Sequence, residues 1–520
     1  GSKAIRGHGI PEAMEQILVN QSKIKPAITF LKPVSSAIAI GTGGPFGAEG
    51  PIIATGGALG STFGQMLRIS PNERKILLTA GSTAGMAAIF GSPVAAIFLG
   101  IELLLFEFSP RSIIPVTLAC ITGAAGHHLL FGSQPVFSTG KEMAVPGNTA
   151  LAVYSVIGVI TGICSVWVTR AVYLIEDLFE KLPIHWMWWP AIGGLAAGTI
   201  GYFAPHTLGV GYDNITRILS GNSTTAFLLG LCLLKFLSWA IALGSGTSGG
   251  TLAPLFIIGG AAGALLGKGI LYGFPASGLS LPICALVGMA AMFTGASRAF
   301  LTSIIFSMET TGQSSVLLPL LGACSGAYIV SFFMMKNTIM TEKIARRGIR
   351  TPDSYEPGFL DKVSVREVMQ QHEVTVDRSS TIAELLERTA RSSLSPDTCL
   401  LVTDTGGQLE GLVRYGDLFN RRIPPGASLS AVIQRRVYPV QEDCSVSAAL
   451  ETMATGNVTA LPVLNSENEV VGVLSIQHIL AAYKQQMGHH RQNNPSISLK
   501  RRGLKVLLRS QELLRGWKTH

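Results

Sequence analysis

Apolar residues fill the first two thirds of the chain in runs that glycine and proline keep breaking; near residue 340 the pattern changes to that of a soluble α/β protein. The apolar runs lie near 77–106, 112–131, 150–175, 186–204, 225–243, 253–273, 281–306 and 315–335. Several exceed the roughly 20 residues that cross a bilayer as a helix. The stretch 35–69 is equally apolar but is interrupted by Pro45 and Pro51, and it predicts short, broken helices whose N-termini point inward. Beyond a polar, basic exit, TEKIARRGIRTPDSYEPG, residues 363–485 read twice as strand, helix, strand, turn, strand, helix, over about 363–421 and 428–485. Residues 486–520, with His489 and His490, form a basic tail. It reads as a solvated segment, with a surface helix on anionic lipid as the alternative.

The apolar part repeats itself. Gly41–Pro51 (GTGGPFGAEGP) and Gly244–Pro254 (GSGTSGGTLAP) align glycine on glycine and proline on proline at an offset of 203. Gly57, Gly60 and Gly64 fall on Gly260, Gly263 and Gly267, and GMAAIF from Gly85 falls on GMAAMF from Gly288. Upstream, GHGIPEAMEQIL from Gly7 matches GVGYDNITRIL from Gly209 one residue out of step. Two copies of one unit inside a membrane domain are a transporter signature, with the substrate at the interface between copies.

Composition agrees with a membrane domain carrying a soluble appendage: 48% of the 520 residues are hydrophobic and 14% charged. Much of the net charge of +9 sits in ARRGIR at 345–350 and in the tail. Basic clusters beside apolar spans mark the cytoplasmic side. No aromatic and basic surface accompanies them, so nucleic acid is not an expected partner. The seven cysteines are dispersed without a CxxC pair and read as small core residues. No metal site is expected. The chain opens almost on a motif, which reads as a truncated N-terminus.

Three helix N-termini, at 7–12, 47–51 and 250–254, carry the candidate chemistry. Unpaired amides at a helix start hold partial positive charge, and glycine lets an anion approach them. The same glycines would also serve close helix packing. Pro11 and Glu12 suit the first turn of one of these helices.

GHGIPE, GAEGP and GGTLAP, in that order and followed by the two α/β copies, resemble the CLC family of chloride channels and chloride/proton exchangers with a tandem CBS pair. The resemblance implies an all-α polytopic membrane domain of inverted repeats over residues 1–345, an α/β tandem CBS domain pair, and a homodimer with one anion path per subunit in the lipid bilayer. It implies no enzyme activity, and a bacterial inner membrane with the CBS pair cytoplasmic. Gly7, His8, Gly9, Ile10, Ala48, Glu49, Gly50, Thr251, Leu252, Ala253 and Met340 take the anion-facing positions. Glu49 takes that of the gating glutamate; a carboxylate there can replace the anion and leave when protonated.

Four positions depart from the family pattern. His8 stands where a serine is usual, and can donate from either nitrogen or become cationic. GTLAP replaces GxFxP while keeping the backbone amides. Met340 falls where the pore tyrosine is expected and offers no donor. Leu103 falls at the inner proton-transfer carboxylate. Glu102 beside it would face the dimer interface or the cytoplasm, leaving water or a group such as His8 to relay protons. Glu309 reads as a cap or partner within the bundle. In the CBS pair the Ser/Thr and Asp of the nucleotide motif are split, Asp417 in one copy and Ser475 in the other. Adenine nucleotide is thus an allowed ligand beside a purely stabilising role.

The function implied is transport of chloride or a similar small anion, gated by Glu49 and either passive or coupled to proton antiport. The alternatives are an uncoupled voltage- or pH-gated chloride channel and a carrier selective for fluoride or nitrate. An intramembrane metalloprotease would need HExxH, which is absent. A magnesium transporter would need clustered carboxylates rather than amide-rich helix ends. A nucleotide sensor that moves no ion is the remaining rival.

Overall fold

The computed structural model divides into two units, Gly1–Glu356 and Pro357–His520. It describes residues 5–138, 142–352, 360, 363–371, 375–389, 396, 398–403, 409–419, 424, 426–433, 437–467 and 469–493. The tail beyond 493 lies outside the described residues.

In the first unit the helices run α1 (Ile10–Val19), α2 (Ile28–Gly41), α3 (Glu49–Met66), α4 (Pro71–Phe90), α5 (Pro93–Leu105), α6 (Pro110–Phe131), α7 (Asn148–Glu180), α8 (Trp189–Phe203), α9 (Tyr212–Leu219), α10 (Thr225–Gly244), α11 (Leu252–Gly273), α12 (Leu281–Ser297), α13 (Phe300–Thr311), α14 (Leu317–Met334) and α15 (Glu342–Arg346). Among the described residues, α6, α7, α10, α11 and α14 are long and apolar enough to span a bilayer. Exposed Leu129, Leu130 and Phe131 on α6, and Tyr202 and Phe203 on α8, suit contact with lipid. By contrast α12 is buried around its whole circumference.

Two of the long apolar runs are helix pairs. The run 77–106 breaks at Gly91, which closes α4 in the left-handed region (φ 59°), and Pro93 opens α5. The run 281–306 breaks at Arg298 (φ 61°), whose Nη2 donates to Ser331 O and Met335 O. Arginine is no helix breaker, so this break is dictated by its tertiary partners.

Helices α1–α6 recur in order as α9–α14, and the copies touch reciprocally. Gly47 N–H donates to Gly250 O (3.2 Å) and Gly250 N–H to Gly47 O (2.7 Å), an antiparallel bridge between repeat mates. At the end of α5, Glu102 accepts from the amides of Leu301 (2.9 Å) and Thr302 (3.0 Å) and from the Thr302 hydroxyl (2.7 Å). At the end of α13, Glu309 accepts from the amides of Val94 (3.1 Å) and Ala95 (2.8 Å). Each carboxylate closes the N-terminus of the other's helix, so α5 and α13 pack antiparallel about a pseudo-twofold axis. Glu309 is a cap, as read from the sequence. The expectation that Glu102 faces the cytoplasm or a partner subunit is corrected: it is 8% exposed. The cause is tertiary packing: all of the π-helical stretch Gly100–Leu105 is buried, and the Glu102 carboxylate is taken up by the start of α13.

Among the described residues of the second unit, α16 (Val365–Val368), α17 (Ile382–Thr389), α18 (Val446–Gly456) and α19 (Ile476–Asn493) accompany seven strands. These are β1 (Gln370–Gln371), β2 (Thr375–Asp377), β3 (Cys399–Thr403), β4 (Leu409–Arg414), β5 (Val440–Gln441), β6 (Ala460–Leu464) and β7 (Val470–Ser475). They form two sheets, β2-β3-β4 and β1-β7-β6-β5. Strand β1 therefore leaves its own copy and pairs with β7 of the second. The helix expected to end the first copy is a single 3-10 turn, Tyr415–Phe419.

Removing either cross-cap strands two helix-start amides, at roughly 1–3 kcal/mol each. Glu102→Ala and Glu309→Ala are each expected to lower the thermal midpoint of detergent-solubilised protein, with Glu102→Gln milder than Glu102→Ala. Midpoints equal to the parent would refute the capping assignment.

Candidate anion path and gating carboxylate

Helix α1 begins after two glycines in the left-handed region, Gly7 (φ 89°) and Gly9 (φ 93°), which bend the chain sharply into the helix. Gly9 N–H donates to Glu12 Oε2 (2.7 Å), and Glu12 Oε1 accepts from Lys343 Nζ (2.8 Å). Lys32 on α2 donates to Ile5 O (2.9 Å) and Gly7 O (2.8 Å), pinning the loop that carries His8. The His8 ring is buried, and its Nδ1 has no hydrogen-bond partner.

The second and third helix starts meet at the Gly47–Gly250 bridge. Glu49, the first residue of α3, is fully buried. Its Oε1 accepts from the amide of Ala253 (3.0 Å) at the start of α11, and its Oε2 has no partner. A Cβ on Gly250 would lie 2.5 Å from Oε2. A Cβ on Gly50 would lie 2.9 Å from the His8 carbonyl carbon and 3.2 Å from Gly250 Cα. All three chain segments therefore converge within van der Waals reach of one glycine. A carboxylate laid on an amide-rich helix end occupies the place an anion would take, and protonation would weaken its hold.

The structure thus brings together Gly7, His8, Gly9 and Ile10 with Ala48, Glu49 and Gly50, and with Thr251, Leu252 and Ala253. Met340 lies buried in the core, its amide donating to Thr338 Oγ1 (3.2 Å). Tyr173 on α7, and not Met340, lines a small cavity with His8, and its hydroxyl donates to Ile339 O (2.7 Å). A larger cavity of about 420 Å³ opens beside Lys343 and Arg347, on the side of the basic stretch.

Two residues that sequence reasoning passed over complete the site. Lys32 and Lys235 are fully buried repeat mates, 203 residues apart. Lys235 on α10 donates to Thr207 O (2.9 Å) and Gly209 O (2.7 Å), repeating on the loop before α9 what Lys32 does before α1. The signal was present: each is a lone charge in an apolar run, at the repeat offset. The Lys235 ammonium, like that of Lys32, is thus satisfied by backbone carbonyls rather than by a paired carboxylate.

In the second unit, Arg414 Nη2 donates to Asp417 Oδ1 (3.2 Å). Ser475 Oγ accepts from His478 N–H (3.3 Å), and Ser475 N–H donates to His478 Nδ1 (3.2 Å). Burial pushes the His478 imidazole below its ordinary value, which keeps that nitrogen an acceptor at neutral pH. Both nucleotide-motif residues are engaged by local partners.

Helix ends converging from two inverted copies, with a buried carboxylate laid across them, define a polytopic membrane protein built around an anion position. The chain belongs to the voltage gated chloride channel family, whose description matches residues 1–332, and it carries two CBS domains at 365–423 and 429–485. It is 30% identical over 353 residues to the H(+)/Cl(-) exchange transporter ClcA of Yersinia pestis, covering 65% of this chain and 72% of that protein. It is 27% identical over 580 residues to Chloride channel protein CLC-f of Arabidopsis thaliana, covering 94% of this chain and 73% of that one. The fold matches a slow cyanobacterial Cl-/H+ antiporter (TM-score 0.59, 24% identity, 66% of this chain and 81% of that one). It also matches a eukaryotic CLC transporter (TM-score 0.57, 20% identity, 92% and 85%).

Replacing Lys32 or Lys235 by methionine leaves two buried carbonyls without a donor and removes a positive charge near the helix ends. Each variant is expected to lose roughly 1–3 kcal/mol of stability and to bind chloride more weakly in calorimetric titration. Parent-like chloride affinity in a folded Lys235→Met protein would refute the electrostatic role.

Proposed function

We propose that this protein exchanges chloride, or a similar small anion, for protons across the membrane, with Glu49 as the gate for both ions. The observation that carries this reading is the Glu49 carboxylate on the amide of Ala253. Charged, it competes with an anion for the start of α11; neutral, it yields that place and carries a proton away with it. One residue thereby couples the two fluxes. Relatives named as H(+)/Cl(-) exchange transporters support the exchange reading over an uncoupled channel.

The setting follows the same likeness: a homodimer with one path per subunit, in a bacterial inner membrane, with the basic stretch at 343–350 and the CBS pair on the cytoplasmic side. For the CBS pair we assign a stabilising role rather than adenine-nucleotide sensing. Arg414 on Asp417 and the Ser475–His478 pair support that choice.

In liposomes with an outward chloride gradient, chloride efflux is expected to drive proton uptake. Glu49→Gln is expected to abolish proton uptake while chloride still moves. Proton uptake that survives Glu49→Gln would sink the gate, and chloride efflux without protons in the parent would make the protein a channel. Millimolar ATP is expected to leave the thermal midpoint of the whole chain unmoved; a rise lost in Asp417→Ala would restore the nucleotide reading.

A further inference from the structure

A proton reaching Glu49 from the basic side needs an acid on that side, and the ordinary position holds Leu103, which is buried. The neighbouring intramembrane carboxylates are committed. Glu102 accepts three hydrogen bonds at the start of α13, and Glu309 accepts two at the start of α5. Neither can take up and release a proton at each turnover without uncapping a helix.

The cavities point elsewhere. The large cavity beside Arg347 is lined by four carboxylates, Glu12, Glu15, Glu176 and Glu180. Glu12 is held by Lys343 and by the Gly9 amide, and Glu15 pairs with Arg347. Deeper lies a pocket just large enough for about one water, with a volume of about 20 Å³, lined by Arg6, His8, Tyr173, Glu176 and Lys343 among others. Glu176 is the carboxylate that lines both spaces. The His8 carbonyl lies where a Cβ on Gly50, the residue after Glu49, would stand, so the two backbones are neighbours, and His8 Nδ1 and Glu49 Oε2 are both buried without partners.

We propose that Glu176 on α7 is the inner proton-transfer residue, passing protons through the small pocket to His8 and from His8 to Glu49. Glu176 takes a proton from water in the large cavity. It gives that proton to His8 Nδ1, and the imidazolium passes the same proton on to the Glu49 carboxylate. Glu176 is again an anion, Glu49 is neutral, and the ring is back in its starting tautomer. The groups that act on Glu176 are Lys343 and Arg346 from α15, Glu180 on its own helix, and Glu12 from α1, with Arg6 also on the pocket wall. This inference rests on the exchange reading above.

The test measures proton uptake and chloride efflux together in liposomes for the parent, Glu176→Gln and Glu176→Asp. Glu176→Gln is expected to lose at least tenfold in proton uptake while chloride still leaves, and Glu176→Asp to recover coupled uptake. Parent-like proton uptake in Glu176→Gln overturns the relay and leaves the exchange reading standing. A parent that moves chloride without protons overturns both. If Glu176→Gln passes neither ion, Glu176→Asp decides: recovery of both fluxes with proton coupling supports the relay, and a folded Glu176→Asp that still passes neither ion overturns it.

Discussion

Everything in the membrane unit hangs on two glycines joined back to back. Gly47 and Gly250 exchange both backbone hydrogen bonds, and each is the repeat mate of the other. That contact sets the relation of α3 to α11, because each helix starts two residues beyond its glycine. It also sets the space for Glu49, since a side chain at either glycine would collide with the carboxylate. The bridge satisfies backbone groups deep in the unit, where water is unavailable and an unpaired amide is costly. One local pairing thus answers a hydrogen-bonding demand, an orientation demand and a steric demand together.

The same twofold logic governs the charges. Lys32 and Lys235 each fasten the loop before a short helix, and Glu102 and Glu309 each cap a helix of the opposite copy. The carboxylates end on amides and the lysines on carbonyls, so buried ions are satisfied by backbone and need no counter-ion beside them. Around α1 the lysines stand beside Glu12, which Lys343 holds, while at α11 Glu49 rests on the Ala253 amide.

Much of this was legible. Glycine and proline mark the helix starts at Ile10, Glu49 and Leu252, and the repeat offset says which segments correspond. What was hidden had physical causes. Glu102 finds its partners at Leu301 and Thr302, remote in sequence, so its local pattern does not reveal that it is a cap. The break at Arg298 depends on carbonyls of α14 and its end, which are remote in sequence. Tyr173 reaches the His8 pocket from α7, more than 150 residues from that loop, so no motif around Met340 could reveal it. The crossing of β1 to β7 is likewise a choice between two similar edges that the periodicity of each copy does not distinguish.

The three helix ends are not equivalent, and the difference decides where competition occurs. At α1, Gly9 N–H is already taken by Glu12, a carboxylate held in turn by Lys343, and Pro11 has no N–H to offer. Of those first positions, Ile10 alone retains an amide not spent on Glu12 or lost to proline. The start of α1 therefore contributes chiefly its dipole and the neighbouring lysines. At α11, the Ala253 amide holds Glu49, a side chain with one oxygen unpartnered and no ion pair to fix it. On the gating reading proposed above, an arriving anion would meet a fixed carboxylate at one end and Glu49 at the other, and would contend with Glu49 at α11. A gate that must turn over needs its charged form held weakly, and a carboxylate with its second oxygen unpartnered meets that requirement of the proposed reading.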